Sequence, residues 1–157
     1  MGTFSPDLTI TGSAQTGLTS PTYTWVSDVP PDARSRQWAI TALGGTQTNV
    51  RTHTAGDPFT VTIRREPYKA LPAANPVNGS RGNVPLNRIE ILARKGVYID
   101  SDNTIRVMNL RFIAEIPAGA ESSDSVNIRA AVSNMLGVLA EESADYGDTV
   151  VTGLIGS

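Results

Sequence analysis

The sequence predicts an α+β fold: an N-terminal β-hairpin, an antiparallel β-sheet meander, then one long and one short C-terminal helix. Three observations carry this. Residues 59–66, 88–94 and 104–116 alternate side-chain character with the period of two expected of a half-buried strand. After Pro117 and Gly119 the apolar period changes to about 3.6. Pro and Gly pairs such as Pro30-Pro31 and Gly44-Gly45 punctuate the chain as turns do.

The elements follow in order. Residues 1–21 are rich in Thr, Ser and Gly, and Leu8-Thr9-Ile10 reads either as a short strand or as part of a flexible arm. Residues 22–43 read as a hairpin whose loop is stiffened by Pro30-Pro31 and whose second strand ends at Gly44-Gly45. Residues 47–54 are polar and β-branched, as an edge strand would be, and Ala55-Gly56-Asp57-Pro58 then turns the chain.

In residues 59–66, Phe59, Val61 and Ile63 point one way and Thr60, Thr62 and Arg64 the other. Residues 67–85 form a Pro/Gly/Asn-rich connection, longer than most loops in compact domains. Next, Ile89, Ile91 and Ala93 share one face, and Arg88, Glu90, Leu92 and Arg94 the other. Residues 95–103 read as a turn-rich connection. The longest strand, residues 104–116, would run roughly 40 Å. Met108, Leu110, Phe112, Ala114 and Ile116 make its apolar face; Val107, Asn109, Arg111, Ile113 and Glu115 make the other.

Ser122-Ser123-Asp124 supplies N-cap candidates and early negative charge for the long helix. Its stripe is Ile128, Ala131, Val132, Met135, Val138 and Leu139. Gly137 weakens the helix by about 1 kcal/mol relative to Ala; it either admits a close backbone or is incidental. Asp145-Tyr146-Gly147 reads as the helix break, with residues 149–155 a short second helix or a strand. One helix cannot cover a broad sheet, so a second copy with reciprocally crossing helices is the expected completion.

Composition agrees with a subunit that needs a partner. The 157 residues fit one domain, and the hydrophobic share is 39%, against a usual ~45–50% that also counts Gly. Charge is segregated: residues 1–33 carry −3, residues 34–111 carry +7, and residues 112–157 carry −6. A basic middle segment is a footprint for polyanions, or simply an uneven solvated surface. No apolar run is long enough to span a bilayer. The N-terminus has neither the basic nor the apolar region of a signal peptide, so a cytosolic setting is expected.

Enzymatic signals are weak. Cysteine is absent, which excludes disulfides and thiolate metal sites, and His53 is the one histidine. Gly44-Gly45 lacks the Lys-Ser/Thr that follows in a phosphate-binding loop. Glu141, Glu142 and Asp145 form an acidic helix end rather than a paired acid and base. No enzyme, cofactor, metal site, membrane partner or small-molecule substrate is therefore expected.

The informative constellation is one strand face: Thr60, Thr62, Arg64, Arg88, Glu90, Arg94, Asn109 and Arg111. Arg suits phosphates, and Asn and Thr suit base edges. Pattern alone favours a plain solvated face, because stacking aromatics are missing from it.

Residues 22–157 resemble the coat proteins of single-stranded RNA bacteriophages of the levivirus type. The likeness is carried by residues 103–139. There a long strand with Met108-Asn109-Leu110-Arg111-Phe112 runs into Ile116-Pro117, then Ser123-Asp124, then a helix ending Met135-Leu136-Gly137-Val138-Leu139. Arg88-Ile89-Glu90-Ile91 is similar to the family's basic–apolar–acidic–apolar run.

The resemblance implies a structural capsid protein and an interlocked dimer that builds an icosahedral shell. The virion would assemble in the bacterial host cytoplasm around a single-stranded RNA genome. It turns the polar face toward RNA and implies dimer contacts at Met108, Leu110, Phe112, Ile128, Val132, Met135 and Leu139. A symmetry-axis loop would hold Lys95, Tyr98, Asp100 and Asn103. Asn109 stands where the family has a stacking tyrosine, and the absence of Cys excludes disulfide-linked rings. The expected organisation is one coat domain over residues 1–157: an arm or extra strand at 1–21, the hairpin at 22–43, sheet at 47–117 and a helical dimerisation region at 122–157. Two alternatives stay open: an RNA-binding sheet module that builds no shell, and a pilus-like structural subunit.

Overall fold

A computed structural model describes residues 2–155, so the last two residues of the expected helical region lie outside it. Six strands come first: β1 (Thr9–Thr11), β2 (Thr19–Asp28), β3 (Ser35–Thr46), β4 (Phe59–Arg65), β5 (Leu86–Tyr98) and β6 (Ile105–Pro117). Three helices follow: α1 (Ala120–Ser123), α2 (Ser125–Glu141) and α3 (Ser143–Thr152). The strands form one antiparallel sheet in sequential order, β1 through β6, each joined to the next. A meander of this kind needs only local connections, and alternation alone can specify it.

The short segment at Leu8-Thr9-Ile10 is a true strand, with Ile10 opposite Tyr23. The hairpin is longer than its sequence signal: Thr19 reaches Thr46, and a bulge between Thr24 and Trp25 lets the pair bend. Residues 47–54, expected as an edge strand, form no strand. β3 is already flanked by β2 and β4, so the chain has no vacant sheet edge at that point. The segment is instead tied down piecemeal. Gln47 Nε2 donates to the carbonyls of Thr22 and Gly44, and the His53 amide donates to the Ile40 carbonyl. His53 Nδ1 accepts from the Phe59 amide, a structural role for the one imidazole.

β5 runs on through Tyr98, so Lys95 and Tyr98 lie in the strand and only residues 99–104 connect to β6. The helix break falls at Glu142 and not at Asp145-Tyr146-Gly147, which lie inside α3. Residues 149–152 are therefore helical. α1 occupies the expected linker. It starts from Gly119, whose φ of 91° is disfavoured for other residues and whose hydrogen face lies against Leu71.

The sheet is a single layer. One face carries Trp25, Trp38, Phe59, Val61, Ile63, Ile91, Phe112 and Ala114; the other carries the Thr, Arg and Glu residues. Trp25 and Trp38 pack at 6.0 Å between ring centres, and Phe4 reaches Trp38 at 5.9 Å. Among the described residues the fully buried apolar ones are nonetheless few: Ala39, Ile40 and Ala118. The accessible surface is 10957 Å² for a chain of 16.6 kDa. A compact monomer of that mass exposes about 7,600 Å². The chain therefore exposes roughly 3,400 Å² more than a compact monomer of its mass.

At Gly96 a Cβ would collide with the Asp57 carboxylate. Gly96→Ala is expected to lower stability by about 1–3 kcal/mol, read as a shifted urea midpoint; an unshifted midpoint would mean that Asp57 is not held against the β5 backbone.

Candidate RNA-facing surface and subunit interface

The polar face is assembled by register. Thr60 lies opposite Arg94, which lies opposite Asn109. Thr62 lies opposite Leu92, and Leu92 opposite Arg111; Arg64 lies opposite Glu90. Arg88, two residues before Glu90, extends the same face. All eight residues singled out in the sequence thus share one face, with Leu92 and Ile113 as apolar interruptions.

Their exposures differ. Thr60 and Thr62 are 2% and 5% exposed, because they are short side chains on a central strand between longer neighbours. The Thr62 hydroxyl donates to Gln37 Oε1 at 2.9 Å, whereas the buried Thr60 hydroxyl has no partner. Glu90 pairs with Arg111 at 3.2 Å and stands 3.8 Å from Arg88. Arg88 is also 4.0 Å from Glu66, and Arg64 is 3.0 Å from Asp32. Such half-exposed pairs add little stability, but they hold the guanidinium groups across the strands. Arg94 is exposed and has no carboxylate partner among the described residues.

The β5–β6 connection is a tight turn. The Thr104 amide donates to Asp100 Oδ1 at 2.9 Å, and Asn103 takes a φ of 60°. That backbone donor holds the Asp100 carboxyl below its ordinary pKa. Beneath the turn lies a bracket that sequence reasoning missed. Asp57, 6% exposed, pairs with Arg51 and stands 3.4 Å from Lys95 Nζ. Arg51 also donates to the Gly96 carbonyl at 2.9 Å and lies 3.8 Å above the Tyr98 ring. Burial alone would raise the Asp57 pKa; the hydrogen bond from Arg51 and the charge of Lys95 outweigh it, so the carboxyl sits below its ordinary value. Burial also pulls Lys95 down, partly offset by Asp57. The available signal was Gly96, a glycine inside a strand, which marks a close approach.

The apolar side is open. Val132, Met135 and Leu139 of α2 are 37%, 49% and 38% exposed, and no α2 residue is buried. Ile128, Ala131, Val132 and Met135 of α2 and residues 112–117 of β6, Glu115 included, line a mostly apolar slot of about 260 Å³. Met108 and Leu110 continue the β6 face beyond the slot, and Leu139 continues the α2 stripe. The outer backbone edge of β6, 13 residues long, pairs with no strand among the described residues. Nothing within 4 Å crowds Gly137.

A one-layer sheet with an uncovered apolar face and a stripe-bearing helix defines a structural subunit completed by other copies. No protein-family model and no curated protein matches the chain. It is similar to the subunit of the virus-like particle of bacteriophage ESE020, at 44% identity over 98% of this chain and 100% of that one, with a TM-score of 0.94. It also has a fainter likeness to the particle subunits of Wenzhou levi-like virus 4 (17% identity, 82% and 73% of the two chains, TM-score 0.46) and Beihai levi-like virus 32 (14%, 86% and 89%, TM-score 0.48). The chain belongs to the single-stranded RNA bacteriophage coat proteins of the levivirus type. Its role is structural rather than enzymatic, and its place is the capsid of the virion.

Asp57 contributes stability above its unfolded pKa near 4, and that contribution is lost as pH falls through the lower folded value. Asp57→Asn is expected to lose about 1–3 kcal/mol at pH 7 and to converge with the parent protein as pH falls through the lowered folded pKa of Asp57, followed by urea unfolding across pH. A constant gap down to pH 2 would remove the charge explanation.

Proposed function

We propose that two copies dimerise by packing the α2 stripe of each on apolar surface of the other. Dimers then close into an icosahedral shell in the host cytoplasm, with the Arg/Thr face inward on genomic RNA. The observation that carries this reading is the apolar slot between β6 and α2, together with the surface that the single chain leaves uncovered. The excess area per chain is larger than one partner's share of a standard interface, as expected when a dimer contact and shell contacts add together. The unpaired edge of β6 supports the same conclusion, because a long free edge is a template for a second strand.

For RNA, the support is charge and placement. The +7 segment of residues 34–111 supplies the strands of the polar face. Arg94 offers an exposed, unneutralised guanidinium directly opposite Asn109. Glu90 orients Arg88 and Arg111 rather than contacting phosphate itself. The turn bearing Asp100 and Asn103, with Lys95 and Tyr98 at its base, is placed at the symmetry axes of the shell.

Expression of the chain alone is expected to give round particles containing host RNA by electron microscopy. Small oligomers at every concentration would favour an RNA-binding module instead. Met135→Asp is expected to abolish particles. Arg94→Ala is expected to reduce the log–log salt slope of single-strand RNA binding by about 0.7, one phosphate contact; an unchanged slope would remove Arg94 from the interface.

A further inference from the structure

The two ends of the fold meet in a way that helix-on-sheet packing between copies does not require. The β1–β2 turn lies at the edge of the sheet opposite β6, from which the helices depart. Yet Gln15 Nε2 donates to the Ser143 carbonyl at 2.6 Å and to its hydroxyl at 2.7 Å. The Thr16 hydroxyl donates to the Asp148 carboxylate at 2.9 Å. Ser143 is buried, and Gly147 leaves the space that the Gln15 amide occupies; a Cβ there would strike it. These bonds join residues 128 and 132 positions apart.

The backbone between them is therefore a closed hoop, with the sheet on one side and α2 on the other. It is continuous at β6 and α1, and it is held at the far side by the Gln15 and Thr16 hydrogen bonds and the seat of Gln15 at Gly147. The hoop is not filled by its own chain. α2 has no buried residue, and Ile63, Ile91 and Phe112 on the facing sheet are only half covered. A fitting occupant is a rod with its own apolar stripe. The α2 of a second copy, 17 residues long and about 25 Å, has those properties, and Gly137 gives two such helices room to approach closely.

We propose that the β1–β2 turn and α3 form a latch: the second copy's α2 enters the hoop first, and the Gln15–Ser143 and Thr16–Asp148 bonds then close behind it. This rests on the dimer proposed above. By two-fold symmetry each copy holds the other's helix, so a closed dimer is threaded and cannot separate until a latch opens. The latch makes dissociation slow; it contributes little to equilibrium affinity.

The chain has no cysteine, and Thr16 and Asp148 are both exposed. Thr16→Cys with Asp148→Cys therefore allows a short bis-maleimide to close each hoop covalently. The smallest folded assembly of the full chain is sized by native mass spectrometry, cross-linked, and denatured in SDS. The expected result is a band at dimer mass in which peptide mapping finds links within chains only. Denatured monomers from a species that was dimeric beforehand would overturn the threading while leaving the dimer intact. A monomer before denaturation would overturn both, and links between chains would show that the hoop does not close within one copy.

Subunit exchange between mass-labelled dimers gives a second readout. Gln15→Ala with Thr16→Val is expected to speed exchange ten-fold or more, and an unchanged rate would overturn the latch.

Discussion

A single antiparallel sheet has two faces, and this chain can cover neither with its own residues. One face carries Arg and Glu side chains around the buried Thr60 and Thr62. The other presents Phe112, Ile91 and Ile63 half covered, beneath a helix with no buried residue. Hydrophobic burial is the main favourable term in folding, and most apolar side chains of the sheet and helix are only partly covered within one copy. The rest of the structure follows from that deficit. The helix buries no residue of its own, the outer edge of β6 pairs with no strand among the described residues, and Gly137 lies on open surface, as the proposed dimer would require.

Electrostatics divides the labour on the polar side. Glu90 ties Arg88 and Arg111 across adjacent strands, while Arg94 is left with its charge unmatched. Closer to the β5–β6 turn the charges are structural. Asp57 is enclosed by Arg51 and Lys95, and Arg51 spans from the loop after β3 to the β5 backbone and the Tyr98 ring. These contacts brace the base of the β5–β6 turn. The 47–58 loop supplies the brace from outside the hairpin that bears the turn.

Much of this was legible in the sequence, for reasons that differ by element. Strict alternation in residues 59–66 and 104–116 identified the strands and which residues share a face, because a register slip would reverse the whole apolar set. The long helix was legible from its stripe. Residues 47–54 were not: a β-branched polar run has strand propensity, but β3 already had both neighbours, and only topology settles that. The helix break was misplaced for a similar reason. Asp145-Tyr146-Gly147 looks like a terminus locally, yet Gly147 serves as the seat for Gln15, a contact 132 residues away in sequence. The burial of Thr60 and Thr62 was likewise hidden, since it depends on the longer side chains of flanking strands. The Arg51–Asp57 pair left no periodic trace at all.

The central claim is that the apolar sheet face and the α2 stripe are buried by a second copy and that the chain has no stable fold without it. Urea unfolding of the full chain, monitored by circular dichroism over a hundred-fold range of protein concentration, tests it most directly, with sedimentation to size the smallest folded species. The account predicts a midpoint that rises with concentration and a dimer as the smallest folded form. A folded monomer with a concentration-independent midpoint would contradict it.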